Sequence, residues 1–313
     1  MDWIEPMEPI LRPDVVTGCQ WIHQVKWDGV RILCRVENGK LRLFTKNRRE
    51  RTGFYPELDE VPGLLKATSA WLDGEIIVLD QDQKPSFYHV LTRERLGNPA
   101  RASLYARQNP VRYIVFDILS LDGKDLREHP LRQRKAILEE RLMPGRNVAI
   151  TDDFSDGDAL FDLMKQKGWE GIVSKRADSP YTGGKNHRDW YKTKLQKKLL
   201  AAVCGLSMKA GFPNALLLGI RPDREWIYIG KASSGLTQEH FRLLRENMSY
   251  MASESSPFPA VPSGTEDIVW FKPALTCWVS FLEWTHDGVL RHPKILGFNR
   301  SSPDEANGTE YVE

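Results

Sequence analysis

Along the first two thirds of the chain, short apolar runs alternate with a few stretches of helical spacing. Val30-Arg31-Ile32-Leu33-Cys34-Arg35-Val36 and Lys40-Leu41-Arg42-Leu43-Phe44 flank Glu37-Asn38-Gly39. Asn-Gly between two such runs predicts a hairpin, because both residues tolerate positive φ. Residues 71–79 and 112–119 read as further strands, each interrupted or ended by Asp-Gly or Asp. Residues 131–143 have helical spacing, stopped by Pro144-Gly145. Residues 157–167 predict a second helix with Gly168 at its C-terminal cap, and a strand over 171–175 follows.

From about residue 199 the texture changes. Short β-like runs at 199–207, 215–220, 226–232, 267–272 and 276–284 are joined by Gly/Pro turns and surround one predicted helix at 237–248. Short strands with a single inserted helix suit a small OB-type barrel. The expected organisation is therefore a first domain over 1–198, a second over 199–302 and an acidic flexible tail over 303–313.

Composition narrows the class. A chain that is 41% hydrophobic and 27% charged is not wholesale disordered. No apolar run approaches the roughly 18 residues of a membrane span, and no signal peptide is visible. Cys19, Cys34, Cys204 and Cys277 form no C-x-x-C pair, so reduced thiols and a cytoplasmic location are expected, with no zinc site. Any metal must be held by carboxylates. The formal charge of +2 argues, as a total, against a nucleic-acid partner. Its distribution argues otherwise. Residues 40–51 hold six basic groups against one Glu, 186–198 hold five against one Asp, and the tail subtracts four. The charge maps to local basic segments.

The chemistry-bearing motifs are individually ordinary. In Gln24-Val25-Lys26-Trp27-Asp28-Gly29-Val30-Arg31, a lysine precedes a glycine turn where backbone can approach a phosphate; as a free amine it is a nucleophile. In Asp73-Gly74-Glu75 and in Glu170-Gly171-Ile172-Val173-Ser174-Lys175, a glutamate opens an apolar run and offers a hard oxygen ligand for Mg²⁺. Phe116-Asp117 supplies an aromatic for the core or for a base. Trp190-Tyr191-Lys192-Thr193-Lys194 puts two lysines on one face of a strand.

Their conjunction and order resemble the covalent nucleotidyltransferase superfamily of DNA ligases, RNA ligases and mRNA capping enzymes. Phe281-Leu282-Glu283-Trp284-Thr285-His286-Asp287-Gly288 and the following Arg291-His292-Pro293 look most like the ligase module of bacterial DNA ligase D. The resemblance implies an α+β protein: a nucleotidyltransferase (ATP-grasp-like) adenylation domain of antiparallel sheets and helices, followed by a small OB-fold β-barrel. It implies an ATP-dependent DNA ligase that seals 5′-phosphate/3′-hydroxyl nicks through lysyl-AMP and DNA-adenylate, in DNA repair. Lys26 would be the AMP-bearing nucleophile, with Lys192 and Lys194 on the α-phosphate. Gln24, Arg31, Glu75, Phe116 and Lys175 would bind the nucleotide. Glu170 and Glu75 would serve Mg²⁺ or Mn²⁺, and Lys46, Arg48 and Arg291 would contact DNA. Implied partners are nicked duplex DNA and a Ku-like end-binding protein, for a monomer in the bacterial nucleoid.

This chain departs from the family pattern in three places. Gln24 stands where Glu is usual, and its carbonyl still accepts from an adenine amino group. Thr45-Lys46-Asn47-Arg48 replaces Ser/Thr-Arg-Asn-Gly, and lysine cannot reproduce a bidentate arginine contact. Phe298-Asn299-Arg300-Ser301 stands where relatives carry Arg-x-Asp-Lys. The alternatives are an RNA ligase or other lysine-nucleotidylating end-joining enzyme, or a non-catalytic nucleic-acid-binding relative.

Overall fold

Asn38 and Gly39 adopt φ of 49° and 74°, a mirror-image turn whose twist matches that of paired strands. They close the hairpin of Val30–Glu37 on Lys40–Thr45, in register from Glu37↔Lys40 to Ile32↔Thr45. The computed structural model describes residues 3–260 and 267–312, and the chain divides into two units, Met1–Lys194 and Leu195–Glu313.

In the first unit this hairpin is the edge of a six-stranded sheet. Its order is Lys40–Thr45, Val30–Glu37, Ser69–Val78, Val111–Leu121 and Lys124–Asp125, with Val148–Ile150 added parallel to Val111–Leu121. Ile32, Cys34 and Val36 point into one apolar cluster with Leu72, Ile76, Tyr113 and Val115. Leu33, Trp71 and Leu119 point into another, with Ile4, Met7, Tyr181 and Trp190. Successive side chains alternate between faces, and both faces are buried. That is why these strands read as continuous apolar runs. A four-stranded sheet completes the unit in the order Ile10–Leu11, Trp190–Lys194, Gly171–Arg176 and Trp21–Val25.

Helix Leu131–Arg141 packs on Val111–Leu121, and Gly157–Lys167 packs on Gly171–Arg176. Asp156 caps the latter by accepting from Ala159 N–H, and Gly168 ends it at φ 62°. Two helices escaped the sequence reading, Phe87–Glu94 and Ala102–Gln108. Arg93, wholly buried, holds that region by pairing with Glu57 at 2.6 Å and donating to the carbonyls of Asn109 and Phe54.

The second unit is consistent with an OB fold. Its long strand Lys197–Lys209 pairs with Phe212–Ile220, Ile268–Trp270 and Thr276–Phe281, and Ile227–Ala232 and Lys294–Asn299 form the edges. The sheet is not a closed barrel. Among the described residues, the edges are bridged by single hydrogen bonds such as Leu290 N to Ile229 O and Ile295 N to Ser234 O. The inserted helix spans Gln238–Glu246 and is capped by Thr237.

The tail differs from the expected loose segment. Ser302 caps a short turn at Pro303–Glu305, and Glu310–Val312 pairs antiparallel with Lys197–Leu199. Glu310 binds Lys197 at 2.8 Å and accepts from the Trp284 indole. Negative charge that looked like a solvated run is matched by a partner distant in sequence; Glu313 lies outside the described residues. Among the described residues, no helix is long and apolar enough to cross a membrane.

Candidate active site

Lys26-Trp27-Asp28-Gly29 is the crossover between the two sheets of the first unit, joining Trp21–Val25 to Val30–Glu37. Gly29 is required there: a Cβ would lie 2.1 Å from the Ile76 carbonyl oxygen. On the other side, Lys26 N–H donates to Gly171 O at 2.9 Å. Gly171 itself has φ 136°, and a Cβ there would meet Thr193 O at 2.1 Å. Glycine lets three segments converge: the crossover, the start of Gly171–Arg176, and the end of Trp190–Lys194, where Lys194 pairs in register with Gly171.

Glu170 sits at the convergence. Its Oε2 takes Lys26 Nζ at 2.6 Å and its Oε1 takes Lys194 Nζ at 2.6 Å. Burial pushes the Glu170 carboxyl up, but the two ammonium groups outweigh it and hold the group below the usual carboxylate range. Glu75, in the middle of Ser69–Val78 and not at its start, is governed by the opposite balance. Burial raises it to about 8, although Lys26 and Arg31 pull it down.

These groups border a cleft of about 240 Å³, lined by Gln24, Lys26, Arg31, Lys46, Glu75, Phe116, Lys175, Trp190 and Lys192 among others. Five cations line it against two carboxylates, Glu8 and Glu75. Lys192 is lowered from its ordinary value, by burial first and then by Lys26, Lys194 and Lys185. Lys175 is 2% exposed, with Nζ 4.2 Å from the Phe116 ring centroid and 4.0 Å from that of Trp190. Burial brings it down to about 7. Neither Lys175 Nζ nor Trp190 Nε1 has a hydrogen-bond partner. Buried donors without acceptors are uncommon, and both line a cavity open to an anionic ligand.

Most residues singled out from sequence meet here, with exceptions. Glu170 and Lys194 lie beside the cleft, locked in the ion-pair triad. Arg31 donates Nε and NH2 to Asp73 at 2.9 and 2.5 Å, NH1 to Met7 O at 2.6 Å, and NH2 also to Tyr181 Oη at 3.2 Å. Of its five N–H groups one remains, so it can make a single contact to a ligand and no bidentate one. Lys46 lines the cleft and faces Glu8 at 3.6 Å. Arg48, with φ 64°, instead lies over the Trp3 ring at 5.4 Å. Arg291 belongs to the second unit, where it binds Glu283 at 2.6 Å.

Sequence reasoning missed Asp73, Tyr181, Asp153 and Glu8. Asp73 stands inside the Asp-Gly-Glu motif and was legible as a neighbour. The others carry no local signal, because their partners are distant in sequence, as in Tyr181 Oη to Asp73 at 2.6 Å. Among the described residues, no group of three or more His, Cys, Asp or Glu is arranged for a metal ion. Glu170 contributes to the raised proton affinity of Glu75, and hard oxygen donors around a cation relieve such like-charge repulsion. These two carboxylates are the hard oxygen donors available here to a divalent ion.

Residues 13–194 match the family described as "ATP dependent DNA ligase domain", and residues 209–301 match "ATP dependent DNA ligase C terminal region". The multifunctional non-homologous end joining protein LigD of Pseudomonas aeruginosa is 31% identical over 317 residues, covering 96% of this chain and 36% of that protein. The chain spans about a third of the length of the first curated relatives it matches. The crystal structure of the ligase domain from M. tuberculosis LigD superposes with a TM-score of 0.51 at 27% identity, covering 95% of this chain and 97% of that one. A Lig E DNA ligase structure, with a TM-score of 0.62 at 18% identity over 94% of this chain and 100% of that one, shares the fold.

Proposed function

The chain belongs to the ATP-dependent DNA ligase family, and from that premise we propose that it seals 5′-phosphate/3′-hydroxyl nicks in duplex DNA through a covalent Lys26–AMP intermediate. The observation that carries this reading is a lysine, Lys26, on the wall of a strongly cationic cleft and held by a carboxylate.

Lys26 Nζ, as the free amine, attacks the α-phosphorus of ATP. The N–P bond forms as the bond to pyrophosphate breaks. Lys192 and Lys194 sit beside the nucleophile and offset the negative charge that builds on the α-phosphate. Fixed cations in a partly dry cleft stabilise that charge more than water would. The unpartnered Lys175 and Trp190 donors supply further contacts to the nucleotide. Phe116 offers its ring to the base, and Gln24 its carbonyl to the adenine amino group. AMP then passes to the 5′-phosphate of the nick, and attack by the 3′-hydroxyl expels AMP and joins the strands. Lys46 lies at the cleft for the DNA phosphates, with Arg48 outside it and Arg291 on the second unit.

A divalent cation held by Glu75 and Glu170 would supply charge neutralisation at the phosphates. Glu170 also holds Lys26 and Lys194 beside each other at the cleft. Relatives named for non-homologous end joining point to double-strand-break repair as the setting, with a Ku-like protein holding the ends.

The test is direct. With ATP and Mg²⁺ the protein gains the mass of one AMP, and Lys26→Ala does not. Run beside GTP and NAD, then chased with nicked DNA and nicked RNA, the same experiment separates a DNA ligase from its superfamily relatives. No adduct with any nucleotide overturns the reading.

A further inference from the structure

Gln24 is 2% exposed, yet its side chain lines the cleft. A primary amide has a donor end and an acceptor end, and which end faces a ligand decides what it recognises. Here a neighbour makes the choice. Gln24 Nε2 donates to Asp153 Oδ1 at 2.6 Å. An ionised carboxylate only accepts, so the amide nitrogen must face Asp153 and the carbonyl must face away. Among the described residues, no protein donor takes up Gln24 Oε1.

Asp153 is itself fixed. Lys135 Nζ, 3% exposed, stands 3.5 Å from its Oδ1 and donates to Thr151 O at 2.8 Å. Thr151 Oγ1 accepts from the Trp27 indole at 3.4 Å. Beyond it, Phe154 exchanges two backbone hydrogen bonds with His23, at 2.8 and 2.9 Å, one residue before Gln24. The carboxylate is held by Lys135 on one side, and its segment is tied to the strand carrying the amide on the other.

We infer that Asp153 is a positioning residue for nucleotide choice: it locks the Gln24 amide with its carbonyl toward the cleft, so that residue 24 accepts from the 6-amino group of adenine and opposes the 6-oxo group of guanine. The inference rests on reading the cleft as an ATP site. It also couples the two positions chemically. A glutamate at residue 24 would set two carboxylates against each other, whereas an asparagine at 153 would restore a donor to it.

Initial rates of adduct formation test this with ATP and with purine riboside triphosphate, which lacks the 6-amino group. Gln24→Glu raises the KM for ATP about tenfold, the scale of one disrupted hydrogen bond to a charged group. Adding Asp153→Asn to Gln24→Glu returns the KM to within about threefold of the parent. Asp153→Asn alone, nearly identical in shape, narrows the preference for ATP over GTP. With purine riboside triphosphate the parent and Asp153→Asn have similar KM values. Failure of the double variant to recover, or losses as large with the purine analogue as with ATP, overturns the role of Asp153. If the parent protein forms no adduct with ATP, the proposed function falls and the inference with it; an adduct without the coupling removes the inference alone.

Discussion

Replacing Lys175 by methionine should make the protein more stable, and by an amount that depends on pH. The ammonium is enclosed between Phe116 and Trp190 with no hydrogen-bond acceptor. Burial lowers its pKa from the ordinary 10.5 to about 7. Between those values the unfolded chain carries a proton at this site that the folded chain does not, so stability rises with pH across that window. At pH 7 and below the full penalty is present, about 5 kcal/mol from the displacement of the pKa. Two rings at cation–π distance return about 2 kcal/mol of that. A gain of about 3 kcal/mol is therefore expected for Lys175→Met at pH 6, fading as pH approaches 10.5. Urea unfolding at pH 6, 8 and 10, on protein free of nucleotide, reads it out. If methionine gives the same change at pH 6 and pH 10, the site does not hold the ammonium against its solvation, and the reasoning fails. The same substitution should weaken ATP binding, which separates a residue retained for function from one retained for stability.

Glu170→Ala should impair nick sealing far more than it shifts Tm, by at least about a hundredfold if the carboxylate both places Lys26 and receives the cation; equal losses in the two measurements would mark a structural carboxylate. Glu75 titrates at about 8 against an ordinary 4.5, so it keeps its proton in the folded chain after the unfolded chain has lost it. Stability then falls as pH rises through that range, and Glu75→Gln should flatten the slope of stability against pH between 4.5 and 8, checked by thermal unfolding. Asp117→Ala leaves Arg134 buried without the carboxylate it holds at 2.8 Å, both side chains being fully buried, and should cost about 4 kcal/mol in urea unfolding. Sealing should also weaken steeply with added salt, since phosphate contacts release counterions; a flat response contradicts an electrostatic grip on DNA.

The hairpin at Asn38-Gly39 and the helix ending at Gly168 were legible because each signal is contained within a few residues and stabilised locally. Helices Phe87–Glu94 and Ala102–Gln108 were not, since what holds that region is Arg93, which reaches Glu57 and the carbonyl of Asn109. Site residues divided along the same line. Lys26, Glu75, Glu170, Lys192 and Lys194 stand in short motifs whose spacing survives in the linear chain. Their states do not. Nothing near Lys175 in sequence tells that two rings enclose it, and nothing near Arg31 tells that Asp73, Met7 and Tyr181 together use most of its donors.

The amino-acid sequence by itself determined the family and the order of its motifs, because glycine turns, apolar alternation and motif spacing are local properties. The tertiary structure decided which charges are free to act. It paired Glu170 with two lysines, turned the Gln24 amide by way of Asp153, and drew the acidic end of the chain onto Lys197. Burial and ion pairing depend on neighbours that only folding supplies, and a charge or an amide has no fixed meaning until its neighbours are in place.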